Sequence, residues 1–386
     1  MPYVFNIPAA VVTGGGASRE LVVHARRLGG SRVLIVTDDF MVQSGVVQTF
    51  IDLLQGAGMP SAIFSGVQPD PTEQNVIDGL AALQDAGADL IVAIGGGSPI
   101  DCAKAIGMLA TNGGQVRDFM GYEKIPRAGM PLIAIPTTAG TGSEVTRASV
   151  ITDPARDEKM LLMSVQLVPQ VALVDFELTM SMPGPLTAAV GVDTLTHAIE
   201  AYVSKKANGV TDPIALSCVS LVAGNLRTAF REPGNRSARE AMSLAACQGG
   251  MAFGNSSVCL VHGMSRPIGA LFHVPHGISN AMLLPAVTRF SLRGSIARYA
   301  AVARAMGAAG PDDADERAAE ALIDALEALN RDLAIPRLRE HPRLNEAKFF
   351  SSLEKMATDA LVSGSPGNNP VVPTAEEIVA LYRAAW

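Results

Sequence analysis

Positive charge is in short supply in this chain, and so are aromatic rings. Lysine and arginine total 30 against 37 aspartates and glutamates, for a net charge of −7, and aromatic residues make up 5%. Binding a phosphate polymer needs clustered Lys and Arg, and no basic stripe is visible, so a nucleic-acid partner is excluded. The cysteines are few: Cys102, Cys218, Cys247 and Cys259 show neither CxxC spacing nor the density of a secreted disulfide scaffold. Reduced thiols in a cytoplasmic protein are the expectation. The opening MPYVFNIPAAVVTGGGASREL lacks the basic start and long apolar core of a signal peptide, and no run reaches transmembrane length without a charge or a glycine. A membrane partner is therefore not expected. There is no internal repeat and no low-complexity tract.

What the chain has in quantity is apolar surface to bury. Hydrophobic residues make up 48% and charged residues 17% of 386 positions. That length exceeds one usual core, so two domains are expected. From about residue 30 to 180, short apolar runs alternate with helical stretches. SRVLIVTDDF, SAIFSGV, DLIVAIGGGSP, MPLIAIPTTAGTG and VALVDFEL read as strands; VVQTFIDLLQGAG and NVIDGLAALQDAGA read as helices. This alternation predicts a parallel sheet covered on both faces. Pro183, Gly184 and Pro185 break the pattern, and the periodicity beyond is almost wholly helical. The expected division is an α/β dinucleotide-binding domain over 1–182 and an all-helical domain over 183–386.

Two of the strands run into loops suited to phosphate. In GGGSPIDCAK, Gly95, Gly96 and Gly97 allow close backbone approach, Ser98 is a candidate N-cap and Pro99 fits the first helical position. Free amides at such a helix start form an anion site, suited to a pyrophosphate. A capped helix after a tight turn, with Asp101 in a capping box, accounts for the same residues. TTAGTGSEVT places Thr137, Thr138, Gly140, Thr141, Gly142 and Ser143 in a second hydroxyl- and glycine-rich loop. Neither loop has the spaced GxGxxG fingerprint. Asp38, at the end of RVLIVT, can accept from a ribose and would repel a 2′-phosphate, which favours NAD over NADP; it also suits a turn.

Half of the chain's six histidines fall in one constellation. Asp193 and His197, at i and i+4 in VGVDTLTHAIEAY, share one face of a helix. His262 and His276 bracket HGMSRPIGALFHVPH and would complete a four-ligand set for one divalent cation. The mixed N/O set suits Fe²⁺ or Zn²⁺ and leaves the choice open. With glycine-rich loops upstream, it points to redox chemistry on an alcohol or carbonyl, the cation drawing charge from the oxygen.

Four segments, in order and spacing, resemble the iron-containing (group III) alcohol dehydrogenase family: GGGSPIDCAK, PTTAGTGSEVT with the following VITD, GVDTLTHAIEAY, and HGMSRPIGALFHVPHGISNAMLLP. The resemblance covers nearly the whole chain. It implies a Rossmann-like dinucleotide domain followed by a helical metal domain, a dehydroquinate synthase-like architecture, and a homodimer. It implies one divalent metal, Fe²⁺ ahead of Zn²⁺, on Asp193, His197, His262 and His276. NAD(H) contacts are implied at Asp38, Gly96, Gly97, Ser98, Thr137, Thr138, Thr141, Ser143, Lys159 and Leu178, with Asp101 a further candidate near the nicotinamide. Phe253 falls where the family brings an aromatic ring near the reacting carbon. The implied activity is hydride transfer between nicotinamide and a small primary alcohol or aldehyde.

One position departs from the family pattern. Many members carry a histidine four residues after the third ligand; here Arg266 stands there. A guanidinium does not titrate near neutrality and is no ordinary base. His273 is the candidate replacement, with a helix-end role as its alternative. Arg266 also suggests a reductase for a small anionic aldehyde or ketone, a carboxylate, phosphonate or sulfonate paired with the guanidinium. A cyclase of the dehydroquinate synthase kind would need basic residues around the ligand segments, and none cluster there. Glycerol dehydrogenase uses fewer protein ligands. A metal- and NAD-binding module without turnover is the remaining alternative, opposed by the complete ligand set.

Overall fold

The computed structural model describes residues 2–156 and 158–386. The chain divides into two compact units. One spans Phe5–Met180; the other holds Ser181–Trp386 together with residues 2–4.

Among its described residues the first unit is built on nine strands: β1 (Ala10–Thr13), β2 (Val33–Val36), β3 (Ser61–Phe64), β4 (Leu90–Gly95), β5 (Gly121–Tyr122), β6 (Leu132–Pro136), β7 (Ala148–Asp153), β8 (Glu158–Met163) and β9 (Val171–Val174). Five helices join them: α1 (Leu21–Arg27), α2 (Asp39–Gln43), α3 (Val46–Gly56), α4 (Glu73–Ala86) and α5 (Gly97–Asn112). Six strands form one all-parallel sheet in the order β1-β9-β6-β4-β2-β3. β5, β8 and β7 form a small second sheet, with β7 and β8 antiparallel.

The large sheet buries both faces, as its near-continuous apolar strands require. Val33 and Ile35 join Leu21, Phe50 and Leu54 on one face, while Leu34 and Val36 join Val76, Ile100 and Ile106 on the other. This is strand alternation with helices above and below. Each such side chain contributes roughly 1.5–3 kcal/mol by leaving water. The chain leaves β2 for β3 on one side and returns to β4 on the other, so the topology reverses beside β2 and β4. The crevice outside the carboxyl ends of those strands is where open α/β sheets bind ligands. Asp38 follows the end of β2, and Gly95 closes β4 with Gly96 and Gly97 after it.

The second unit is helical among its described residues: α6 (Gly184–Val203), α7 (Thr211–Arg231), α8 (Arg236–Asn255), α9 (Leu260–Phe272), α10 (His276–Ser291), α11 (Ile296–Ala305), α12 (Asp315–Asp332), α13 (Glu346–Ser351), α14 (Leu353–Val362) and α15 (Ala375–Ala385). The Pro183–Pro185 break is a helix start, with Pro185 in the first turn of α6. α6 is buried on nearly every side from Thr187 to Val203, as a helix surrounded by helices must be. α7 is long and apolar enough to cross a bilayer by length and composition, but it carries Asp212, Arg227 and Arg231. Its buried stripe of Ala215, Cys218, Val219, Val222 and Leu226 packs in the helical unit.

Two sequence expectations need correction. Ser98 does not cap α5: the N-cap is Gly96, without a side-chain bond, and the helix already begins at Gly97. Asp101 is no capping-box partner either, because its carboxylate reaches Ser143 and Val150. Asp153 and Glu158 face each other across the β7–β8 hairpin, and Arg117 bonds both.

Candidate active site

α6 carries three buried ionisable groups on one stripe, Asp193, His197 and Glu200, at i, i+4 and i+7. Such groups stay inside a protein only with partners. α9 and α10 bring those partners. His262 lies in the first turn of α9, and His276 begins α10 after Pro275. Gly277 lets α10 settle directly on the α6 backbone: a Cβ there would stand 2.7 Å from the Ala189 carbonyl oxygen. His276 is thereby seated beside Asp193.

The four side chains converge. One donor atom from each of Asp193, His197, His262 and His276 lies within 4.8 Å of the others. Asp193 Oδ1 is 3.9 Å from His197 Nε2, 3.6 Å from His262 Nε2 and 3.9 Å from His276 Nε2. Those separations suit ligands about 2.0–2.2 Å from a shared centre. The first three are buried, and the His276 side chain is 44% exposed, so the cluster opens on that side.

The electrostatics favour a cation. Burial alone would push the Asp193 carboxyl up, but His197, His276 and His262 together with the Asn280 amide hold it below its ordinary value. Burial, reinforced by His197 and His276, pulls His262 well below the ordinary imidazole value, so its ring is neutral. Asn280 Nδ2 donates to Asp193 Oδ1 at 2.6 Å and stands 3.2 and 3.1 Å from Nε2 of His262 and His276. Asn280 Oδ1 is buried without a hydrogen-bond partner among the described residues. An amide has two hydrogens, fewer than the lone pairs turned toward it; one divalent cation satisfies them together. The donor set therefore fits such an ion.

Glu200 is the functional residue that sequence reasoning missed. Its Oε2 meets His262 Nδ1 at 2.7 Å, while its two oxygens accept from the amides of Cys259 at 2.8 Å and Val261 at 2.6 Å. Cys259 caps α9 without a side-chain bond, so Glu200 supplies from another helix the anionic cap that α9 lacks. With Nδ1–H donating to Glu200, the His262 Nε2 lone pair is the one facing the cluster. Burial pushes Glu200 up to about 7, against the pull of the backbone amides of Cys259, Val261 and His262. The capping-box motif gave no signal here, because the contact spans 62 residues of chain.

Phe253, on α8, stacks on His197 with centroids 4.3 Å apart and planes at 21°. Arg266, half-buried one turn beyond His262, donates from Nη1 to Ser365 Oγ at 2.9 Å. His273 is exposed; it ends α9 as its C-cap at φ 55°, and its carbonyl accepts from Arg343.

In the first unit, Asp38 is the N-cap of α2 and accepts from the Met41 amide at 2.8 Å through Oδ1. The two loops meet. The Thr137 amide donates to the Gly95 carbonyl at 2.9 Å, and a Cβ on Gly97 would stand 3.0 Å from Thr141 Cγ2. Ser98 lies in the first turn of α5, and Thr138 sits beside Gly96. Ser143 is buried, its hydroxyl donating to Asp101. Lys159 pairs with Asp70 at 2.6 Å, and Leu178 packs on the sheet face beside Leu173. Free helix amides, glycine and threonine hydroxyls around the topological reversal fit a dinucleotide pyrophosphate.

Sequence relatives agree with this chemistry. A family model described as iron-containing alcohol dehydrogenase matches residues 8–176, and one described as the C-terminal part of the Fe-containing alcohol dehydrogenase family matches residues 187–386. The lactaldehyde reductase of Escherichia coli K12 is 40% identical over 376 residues, 97% of each chain. The NAD-dependent methanol dehydrogenase of Bacillus methanolicus is 38% identical over 381 residues, 99% of each chain. A crystal structure of 1,3-propanediol oxidoreductase superposes with a TM-score of 0.97 at 38% identity, covering all of both chains. With both family models matched in order along nearly its full length, the chain belongs to the iron-containing alcohol dehydrogenase family.

Proposed function

We propose that this protein is a metal-dependent, NAD(H)-linked alcohol dehydrogenase and aldehyde reductase for a small, uncharged primary alcohol or aldehyde. The convergence of Asp193, His197, His262 and His276 carries the reading. A divalent ion held by these four donors supplies Lewis acidity to a substrate oxygen, and NAD(H) supplies or receives the hydride. Fe²⁺ is the ion proposed, in keeping with the family.

The residues divide the remaining work. Glu200 holds the His262 proton at Nδ1, so that Nε2 is free to bind. Asn280 steadies Asp193. Phe253 provides an apolar wall against His197 that orients a short carbon chain and keeps water from it. In the first unit, the N-terminal amides of α5 with Thr138 and Thr141 bind the pyrophosphate. Asp38 uses Oδ1 to cap α2 and offers Oδ2 to a ribose hydroxyl, which favours NAD over NADP.

The names of the relatives, built on lactaldehyde, methanol and 1,3-propanediol, support a small uncharged substrate. Arg266, bonded to Ser365, supports a structural role over capture of an anionic substrate. The complete donor set argues against a module without turnover. His273, at a helix end with its backbone engaged, is not assigned proton transfer. Four buried cysteines held as thiols support a reducing, cytoplasmic setting, and a homodimer is proposed from the family. The test is spectrophotometric: NAD with a panel of C1–C4 alcohols and diols. NADH formation from short primary alcohols supports the reading; none with any member, after reloading Fe²⁺ or Zn²⁺, contradicts it.

A further inference from the structure

Lys104 carries a buried ammonium, which is costly unless its hydrogens are all used. Its Nζ lies within hydrogen-bond reach of five oxygens, all from one segment: Ser143 O at 2.7 Å and Oγ at 3.1 Å, Thr146 O at 3.0 Å and Oγ1 at 3.2 Å, and Ala148 O at 2.8 Å. Asp101, one turn earlier on α5, grips the same segment. It accepts from the Ser143 hydroxyl at 2.5 Å and the Val150 amide at 2.9 Å, and its carbonyl accepts from the Ser149 hydroxyl at 2.8 Å. At the other end of the second loop, the Thr137 amide is tied to Gly95. Residues 138–142 therefore form a bow pinned at both ends against the start of α5. Within the bow, Thr138 and Thr141 lie against Gly96 and Gly97.

We propose that Lys104 is a positioning residue for the dinucleotide: it clamps the 138–142 loop against the first turn of α5 and so shapes the cradle for the cofactor's pyrophosphate. Lys104 does not touch phosphate itself, because its hydrogens are taken by protein oxygens. The proposal rests on the cofactor reading above. It adds the residue that couples the two loops.

The experiment compares binding of NADH, ADP and adenosine to the parent protein and to Lys104→Met, with Co²⁺ affinity of the helical unit as control. Lys104→Met is expected to weaken NADH and ADP by about tenfold or more, the scale of one lost charge-assisted contact, with adenosine changed less than about twofold. Co²⁺ affinity stays at the parent value. A merely structural lysine would lower the melting temperature without separating ADP from adenosine. Thr146→Val, which removes one of the five oxygens without touching the bow, gives the same pattern at about threefold and serves if Lys104→Met does not fold. NADH and ADP affinities within twofold of the parent in a folded variant overturn the proposal alone, as does an equal loss for adenosine. Failure of the parent to bind NADH overturns the cofactor reading and the proposal with it.

Discussion

Glu200 Oε2 and His262 Nδ1 lie 2.7 Å apart, joining α6 to the first turn of α9. This bond fixes which ring nitrogen of His262 faces the donor cluster. Glu200→Gln keeps the size but can offer only one acceptor oxygen where the carboxylate meets three donors. Metal affinity is expected to fall about 10–100-fold, the usual range for partners that orient a ligand. Chelator competition with Co²⁺ measures it; an affinity equal to the parent's would remove Glu200 from the site.

His276→Ala removes the most accessible of the four donors while leaving the buried three in place. Metal and turnover are expected to disappear together, because three donors must then hold the ion and orient the substrate. Metal analysis alongside the assay decides the point. Turnover persisting in metal-free His276→Ala protein is incompatible with the scheme.

Phe253→Ala deletes the ring stacked on His197 without touching a donor. Metal content is expected to hold while kcat/KM drops on the order of 10–100-fold through loss of substrate orientation. Unchanged kcat/KM for propanol-sized substrates would reduce Phe253 to packing. Arg266→His, for its part, is expected to leave the ratio of anionic to neutral substrate turnover where it was. A tenfold fall in that ratio would reinstate the anionic substrate.

Glu144 gives a pH signature away from the donor cluster. Burial pushes it up to about 7, opposed by its own backbone amide and by Lys104. A carboxyl raised in the folded state stabilises below its ordinary value of 4.5, and that contribution is lost as pH rises through about 7. Glu144→Gln stays neutral throughout. The variant is expected to match the parent near pH 4 and to exceed it by roughly 3 kcal/mol above pH 8. Urea unfolding at the two pH values tests this; a constant difference would show that Glu144 does not titrate in that window. Lys104, pulled down by burial to about 8, contributes the opposite slope only above that pH.

Much of this was legible in the residues. Val33–Val36, Leu90–Gly95 and Leu132–Pro136 announce themselves because strands buried on both faces need unbroken apolar runs. Asp193 and His197 are legible because helix geometry fixes the direction of residues four apart. The partners that make those residues work were not. Glu200 meets His262 across 62 residues and Lys104 meets Ser143 across 39, and no local periodicity records such pairings. The bonds of Arg117 to Asp153 and Glu158 were hidden for the same reason, spanning 36 and 41 residues. Ser98 misled because its cap propensity is local, whereas the contact of Gly97 with Thr141 is tertiary.

Metal stoichiometry under anaerobic conditions tests the central claim most directly. Protein purified without oxygen, analysed for metals, stripped by chelator and reloaded is expected to hold one divalent ion per chain. NADH formation from a short primary alcohol should vanish on stripping and return with Fe²⁺ or Zn²⁺. Full turnover in stripped protein would contradict the account.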